Sequence, residues 1–382
     1  MALKLARRGQ VPPFIAMDVL RAANERAAAG DDVLHLEVGQ PSTPAPAAVL
    51  AAARAALERE TLGYTDALGL PALREAIAAH YRRSNGVALD PARVIVTTGS
   101  SGAFLLAFLA AFEPGDHVAM AAPSYPAYRN ILTALDLVPV ELPAGPEHRY
   151  QATLDLLRGR HGRLDGLIVA SPANPTGTML APHELAGIAR YCRDMGIRFV
   201  SDEIYHGITY GMTAATALAT SAEAIVVNSF SKYFSMTGWR LGWMVAPPDM
   251  LRAIECLAQN LFISPPALSQ HAAIAAFDCR GELDANVARY AANRALLLEE
   301  LPKAGFIRFA PADGAFYLYA DVAHLTNDSP EFCRRMLREI GVACTPGIDF
   351  DPARGNATLR LSFAGATAAM AEAARRLKAW RR

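Results

Sequence analysis

The densest run of reactive side chains is Ser229-Phe230-Ser231-Lys232-Tyr233-Phe234-Ser235-Met236-Thr237-Gly238-Trp239-Arg240-Leu241-Gly242, where a lysine and an arginine eight residues on are interleaved with hydroxyls and glycines. A phosphate-bearing aldehyde asks for that set: an amine to form an imine, and a planar guanidinium with hydroxyl donors to hold the phosphate. Taken alone, Lys232 reads as a solvated surface lysine and Arg240 as a salt-bridge partner. Their combination carries the case, because the run follows a predicted strand and open α/β sheets bind ligands beyond the carboxyl ends of their strands.

Three further segments agree with it. Thr98-Gly99-Ser100-Ser101-Gly102 lies between a strand and the apolar helix Ala103–Phe112, and a helix start offers unpaired N–H groups and a favourable dipole end to phosphate. By itself it reads rather as an ordinary serine-capped helix, and it is neither a Walker A loop nor a G-x-G-x-x-G fingerprint. Asp202, in Arg198-Phe199-Val200-Ser201-Asp202-Glu203-Ile204-Tyr205, follows an apolar strand, where a carboxylate either holds a pyridine nitrogen protonated or caps the next helix. Tyr205, three residues later, is placed to donate to a ring oxygen. Ser171-Pro172-Ala173-Asn174-Pro175-Thr176-Gly177 reads as a turn that also presents the Asn174 amide at a strand end.

The elements that must position these groups are legible as short apolar runs alternating with helical spacing. Strands are expected at Arg93–Thr98, His117–Ala121, Val138–Leu142, Leu167–Ala170, Arg198–Ser201, Ala224–Asn228 and Leu241–Ala246. In Pro182–Met195, Leu185, Ile188, Ala189 and Cys192 share one helical face. Such alternation, with few polar interruptions in the strands, predicts an α/β sheet covered on both faces. After Pro247 a long helical region runs to about Leu301, followed by strands at Asp321-Val322 and Ala357–Phe363 and a closing helix at Ala366–Trp380. The expected division is an N-terminal segment at 1–40 joining a smaller α+β domain at 266–382, with a large domain at 41–265. The Pro-rich stretch Gln40–Pro46 is the expected crossing between them.

Composition narrows the class. The chain has 382 residues, 52% hydrophobic and 19% charged, with 37 basic and 37 acidic side chains and a formal net charge of zero. That is a globular composition without the basic surplus of a nucleic-acid binder. The five cysteines are scattered, with no C-x-x-C pair and no zinc-ligand spacing, and read as free thiols in a reducing compartment. The first ten residues hold no apolar run of a secretory signal. The apolar run Ala103–Phe112 is far short of the roughly 20 residues a membrane span needs. The expected compartment is the cytoplasm, with no membrane or nucleic-acid partner.

Over nearly its whole length the chain resembles the class I/II aminotransferases, fold-type I enzymes that depend on pyridoxal 5′-phosphate (PLP). The resemblance rests on the Ser229–Arg240 run with Gly238-Trp239-Arg240-Leu241-Gly242, on Asn174-Pro175-Thr176-Gly177, on Asp202 with Tyr205, and on Pro123-Ser124-Tyr125-Pro126. It implies a seven-stranded, mostly parallel sheet covered by helices and a homodimer with shared active sites. It implies that Lys232 is the imine lysine and proton shuttle, that Asp202 pairs with the pyridine nitrogen, and that Tyr205 and Asn174 meet the phenolic oxygen. Tyr125 would stack on the ring. Ser100, Ser101, Ser229, Ser231 and Arg240 would bind phosphate, and Tyr64 would reach the partner subunit's cofactor. Gly39, Asn174 and Arg360 would hold the substrate α-carboxylate. In Thr358-Leu359-Arg360-Leu361-Ser362-Phe363, strand alternation also turns Arg360 away from the apolar face. Tyr233 and Ser101-Gly102 depart from the family pattern.

The implied reaction is ping-pong transfer of an amino group from an L-amino acid to a 2-oxo acid. Lys232, beside Arg240 and partly desolvated, should lose its proton more easily than a free lysine. The scaffold also serves lyases and decarboxylases. A non-enzymatic PLP-sensing regulator would need a DNA-binding module ahead of Gly39, for which no room is expected. Phe14, Ile15, Phe262 and Ile263 lean toward neutral or hydrophobic donors, with aspartate-type donors left open.

Overall fold

A computed structural model describes residues 3–381. Met1, Ala2 and Arg382, the outer ends of the expected N-terminal segment and small domain, lie outside the described residues. The large sheet has seven strands in the spatial order Val94–Thr97, Gly242–Val245, Ile225–Ser229, Arg198–Asp202, Gly166–Ala170, His117–Ala122 and Val138–Pro143. Every pairing is parallel except the two made by Gly242–Val245. The seven strands expected for this sheet all form, with no end moved by more than one residue.

Apolar residues run almost continuously through these strands because both faces are buried. Alternate residues serve different cores. Val94, Val96, Val169, Phe199, Val226, Trp243 and Val245 pack under the helices Ala47–Arg59, Pro71–Asn85, Pro182–Asp194 and Ala267–Ile274. Ile95, Val118, Met120, Ile168, Val200, Val227 and Met244 pack under Gly99–Ala111, Pro126–Ala134 and Leu251–Leu261.

A further core gathers Leu34 and Leu36 with Tyr290, Leu297, Phe316, Tyr317, Leu359, Leu361 and Met370. It sits on a four-stranded antiparallel sheet, Thr345–Pro346, Thr358–Ser362, Tyr317–Asp321 and Arg308–Phe309. Leu34–His35 adds in parallel to Val342–Ala343. The strand expected at Asp321-Val322 is Tyr317–Asp321, buried through its aromatic start. The helical region after Pro247 is broken: Leu251–Leu261 ends before Pro265-Pro266, where two consecutive residues lack the N–H a helix needs. Ala272 and Ala273 still pack in the large-sheet core, and the change of core falls inside the helix Arg280–Glu300, between Leu283 and Tyr290. Among the described residues, no helix is long and apolar enough to cross a membrane.

Phe230, between Ser229 and Ser231, is fully buried, with ring centroids 4.9 Å from Trp243, 5.1 Å from Phe234 and 5.5 Å from Phe277. This aromatic cluster anchors the segment that carries Lys232. Phe230→Ala is expected to lower unfolding free energy by about 3–5 kcal/mol, the usual cost of truncating a buried phenylalanine. Urea titration of variant and parent in the same ligand state checks it, and a loss under about 1 kcal/mol would refute the anchoring role.

Candidate active site

A cavity of about 450 Å³ opens at the carboxyl end of the large sheet. Strand direction explains what converges there. Thr97, Ser229, Asp202, Ala170 and Ala122 end their strands on that edge, so Ser100, Ser101, Lys232, Asn174 and Tyr125 leave it on the following turns. The antiparallel strand begins on the same edge, with Gly242 in register between Thr97 and Ser229, which brings Arg240 back beside Lys232. Gly242 has to be small. A Cβ there would stand 2.9 Å from the Asn228 carbonyl oxygen and 3.0 Å from the Ser100 nitrogen.

One end of the cavity suits phosphate. The helix Gly99–Ala111 starts four residues earlier than expected, so Ser100 and Ser101 lie in its first turn, where N–H groups have no intrahelical partner. Ser100, Ser101, Ser231, Thr237 and Arg240 line this end. Gly99 has φ +70°, and a Cβ on it would press to 2.6 Å from Arg240 Nη2, so a glycine is what allows the guanidinium to close over the helix start. Ser229 ends its strand behind Ser231. It is buried, and its hydroxyl lies 2.8 Å from Ser231 Oγ and 3.1 Å from the Leu241 carbonyl while accepting the Ser231 N–H.

In the middle, Lys232 Nζ donates to the Gly39 carbonyl at 2.7 Å. Burial, with Arg360 and Arg240 nearby, lowers its pKa to about 8 against the opposing pull of Asp202. Asp202 is buried. Its Oδ1 accepts the Ile204 N–H at 3.0 Å and its Oδ2 accepts the Tyr128 hydroxyl. Desolvation raises it to about 6, with those two donors pulling the other way. Tyr205 Oη pairs with Tyr317 Oη at 2.7 Å, and burial lifts Tyr205 well above its ordinary value. The Tyr125 ring meets Tyr128 edge-on.

At the far end, Arg360 is buried. Its Nη1 donates to Asn174 Oδ1 at 2.9 Å and its Nη2 to the Glu37 carbonyl and the Thr345 hydroxyl. The guanidinium carbon lies 4.5 Å from the Tyr317 ring centroid and 4.7 Å from that of Phe350. Its Nε is buried without a partner, and among the described residues no carboxylate forms an ion pair with it. A buried cation whose hydrogen bonds all go to neutral groups, with Asp349 acting on it only through space, calls for an anion. Gly39 passes so close to this end that a Cβ would overlap the Tyr317 hydroxyl.

Tyr64 does not reach this chain's cavity and is 84% exposed. Of the four apolar residues singled out in the sequence, Phe14 lines the cavity and Ile15, Phe262 and Ile263 do not; Met17, Leu20, Phe104 and Ile204 do. Tyr233 turns outward, donating to Asp284 at 2.7 Å. Sequence reasoning missed Tyr128 and Tyr317. The three-residue step from Tyr125 to Tyr128 across a helix start was an available signal, whereas nothing local marked Tyr317.

The fold and the cavity define an α/β enzyme that holds one amine between a buried acid and two arginines. The profile of class I and II aminotransferases matches residues 31–377, and the chain belongs to that family. It is an aminotransferase, acting between amino acids and 2-oxo acids. It is 53% identical, over 100% of its length and 99% of the relative's, to a valine–pyruvate aminotransferase of Mycobacterium tuberculosis. A crystal structure of an aminotransferase from that organism superposes with a TM-score of 0.97 over 99% of both chains, at 53% identity. An aspartate aminotransferase from Thermus thermophilus solved with maleate gives 0.93 at 32% identity, over 99% of this chain and 100% of that one.

Tyr128→Phe removes a hydrogen bond that favours the ionised form of Asp202, so the carboxyl should hold its proton to higher pH. The acid limb of kcat/KM is expected to move upward by about one pH unit. A pH–rate profile of the variant checks it, and an unmoved limb would separate Asp202 from Tyr128.

Proposed function

We propose that the enzyme is PLP-dependent and transfers the amino group of neutral, apolar L-amino acids to a small 2-oxo acid. The observation that carries the reading is Arg360, a buried guanidinium without a carboxylate partner, across the cavity from the Lys232 amine. The valine–pyruvate relative supports the donor class. So does the lining: Lys232, Arg240 and Arg360 are the cations facing the cavity among the described residues. With Arg240 on phosphate and Arg360 on the α-carboxylate, a second, side-chain carboxylate finds no partner in this chain. Phe14, Met17 and Leu20 present it with hydrocarbon.

The residues fit the cofactor. Ser100, Ser101, Ser231 and Arg240 would hold its phosphate, with Ser229 orienting Ser231. Tyr125 would stack on its ring, Asp202 would take the pyridine nitrogen, and Asn174 and Tyr205 would face the phenolic oxygen. Bound there, PLP supplies an aldehyde for covalent linkage to an amine and a ring that accepts the electron pair left when the substrate's Cα proton departs. Lys232, with a pKa near 8, takes that proton and returns it, a task suited to a group poised close to neutral pH. Arg360 and Asn174 grip the α-carboxylate, which fixes the Cα–H bond that faces Lys232. Gly39 would join Arg360 and Asn174 at the α-carboxylate, where the Tyr317 hydroxyl leaves room for no side chain on it.

The active form on this reading is a cytoplasmic homodimer with shared sites. Tyr64 would serve the partner's phosphate end. Beside it, the Thr65 N–H donates to Ser264 Oγ at 3.4 Å, and Ile263 is 51% exposed at φ +65°. An apolar, β-branched residue held out in that conformation supports a docking edge. The division into an N-terminal segment, a large domain and a small domain belongs to the same proposal.

Two experiments test it. Lys232→Ala should abolish borohydride trapping of the cofactor on the protein, and a covalent adduct retained elsewhere would overturn the lysine assignment. Holoenzyme should be converted by valine and leucine at least about tenfold more efficiently than by aspartate, read from cofactor absorbance for each donor. Preference for aspartate would refute the apolar-donor reading.

A further inference from the structure

The N-terminal helix Ile15–Ala28 begins without a cap of its own. Phe14 precedes it with no side-chain acceptor, and Pro12-Pro13 come before that. Its first N–H groups are met from across the chain, since Asp349 Oδ1 accepts the Ile15 N–H at 3.1 Å and Oδ2 accepts the Ala16 N–H at 3.0 Å. Asp349 is 1% exposed. A carboxylate on a helix start answers both the orphan donors and the dipole.

That first turn is also the part of the helix that faces the cavity. Phe14, Ala16, Met17 and Leu20 line it, and the Phe14 ring stands edge-on to Tyr125 with centroids 5.7 Å apart. The far end of the helix is held separately. Ala23 packs with Leu337 and Ala343, and Arg26 donates to the Arg338 carbonyl at 3.2 Å. Asp349 itself is held by Arg129, whose Nη2 donates to the Asp349 carbonyl at 3.2 Å while its Nη1 binds Glu141 at 2.8 Å on the edge strand of the large sheet. The Asp349 carboxylate thus joins the helix to the 347–351 segment, and its backbone carbonyl ties that segment through Arg129 to the sheet.

We propose that Asp349 is a positioning residue for donor side chains: it seats the first turn of the N-terminal helix so that Phe14, Met17 and Leu20 form the wall that grades apolar donors by length. The inference rests on the apolar-donor reading and deepens it. A short side chain does not reach this wall, so its binding is indifferent to where the turn sits. A longer one buries its terminal carbons there and loses contact when the turn frays.

The test uses holoenzyme carrying Asp349→Ala or the near-isosteric Asp349→Asn, in single-turnover reactions with alanine, valine and leucine. For Asp349→Ala, half-saturation for leucine should rise about tenfold and that for alanine less than about twofold, with limiting rates changed less than about threefold. Asp349→Asn, which keeps one acceptor oxygen, should recover part of the leucine defect. Hydrogen exchange across residues 14–22 should be faster in Asp349→Asn, a measurement available even where the alanine variant fails to fold. A loss of equal size for all three donors, or unchanged exchange in that segment, would overturn the proposal. Wild-type preference for acidic donors would instead refute the apolar-donor reading, and the exchange result would still judge the seat.

Discussion

The antiparallel strand Gly242–Val245 is the constraint on which the site depends. It lies between Val94–Thr97 and Ile225–Ser229, and its direction makes the chain that leaves Ser229 return to the same edge a dozen residues later. Lys232 is carried out and Arg240 is carried back on one loop. A parallel strand there would need a long crossover and would present its carboxyl end, with no reason for an arginine eight residues from the lysine to face the same cavity. The return requires positive φ at Ser235 and at Arg240, each costing on the order of 1 kcal/mol or more for a side-chain-bearing residue. Phe230, Phe234, Met236 and Leu241, all buried in the large core, offset it.

The same burial sets the electrostatics. Lys232 and Asp202 are opposite charges, yet desolvation is the largest influence on both, and it moves the amine down to about 8 and the carboxyl up to about 6. Each group is brought toward neutrality. What keeps Asp202 ionised near pH 7 is a small set of donors, Tyr128 and the Ile204 N–H, with help from Lys232. What keeps Lys232 able to release its proton is the repulsion of Arg360 and Arg240 added to burial.

Much of this was legible in the sequence, and the limits have physical causes. Strands buried on both faces are unbroken apolar runs, so all seven were visible, and the residues beyond their carboxyl ends follow directly. Ser100, Ser101, Lys232, Asn174 and Asp202 came from that logic together with family resemblance. Ser229 and Ser231, two residues apart at the end of their strand, share a face, and their hydroxyls meet at 2.8 Å. The helices Ile15–Ala28, Ala47–Arg59 and Pro71–Asn85 went unread, since alanine-rich stretches carry weak amphipathic contrast. Tyr317 and Asp349 could not be found locally at all. Their partners, Tyr205 and the Ile15 N–H, lie more than a hundred residues away, and only the packed fold brings them together.

Those long-range contacts share a geometry. Lys232 with Gly39, Tyr205 with Tyr317 and Asn174 with Arg360 each join a turn at the edge of the large sheet to the segment or sheet of the other core. The cavity is therefore a seam. Leu34 and Leu36 fix the N-terminal segment on the second core, pairing with Val342–Ala343 and with Ser362, and three residues after Leu36 Gly39 crosses to Lys232, where the Tyr317 hydroxyl leaves no space for a side chain. Arg360 is the cation at that seam whose hydrogen bonds reach no carboxylate among the described residues. On the proposed reading, an α-carboxylate satisfies it only where Arg360 and Asn174 face the ligand together. On that reading a substrate carboxylate would bridge both cores at once, in the arrangement that the Asn174–Arg360 hydrogen bond already holds, and would turn the Cα–H bond toward the lysine.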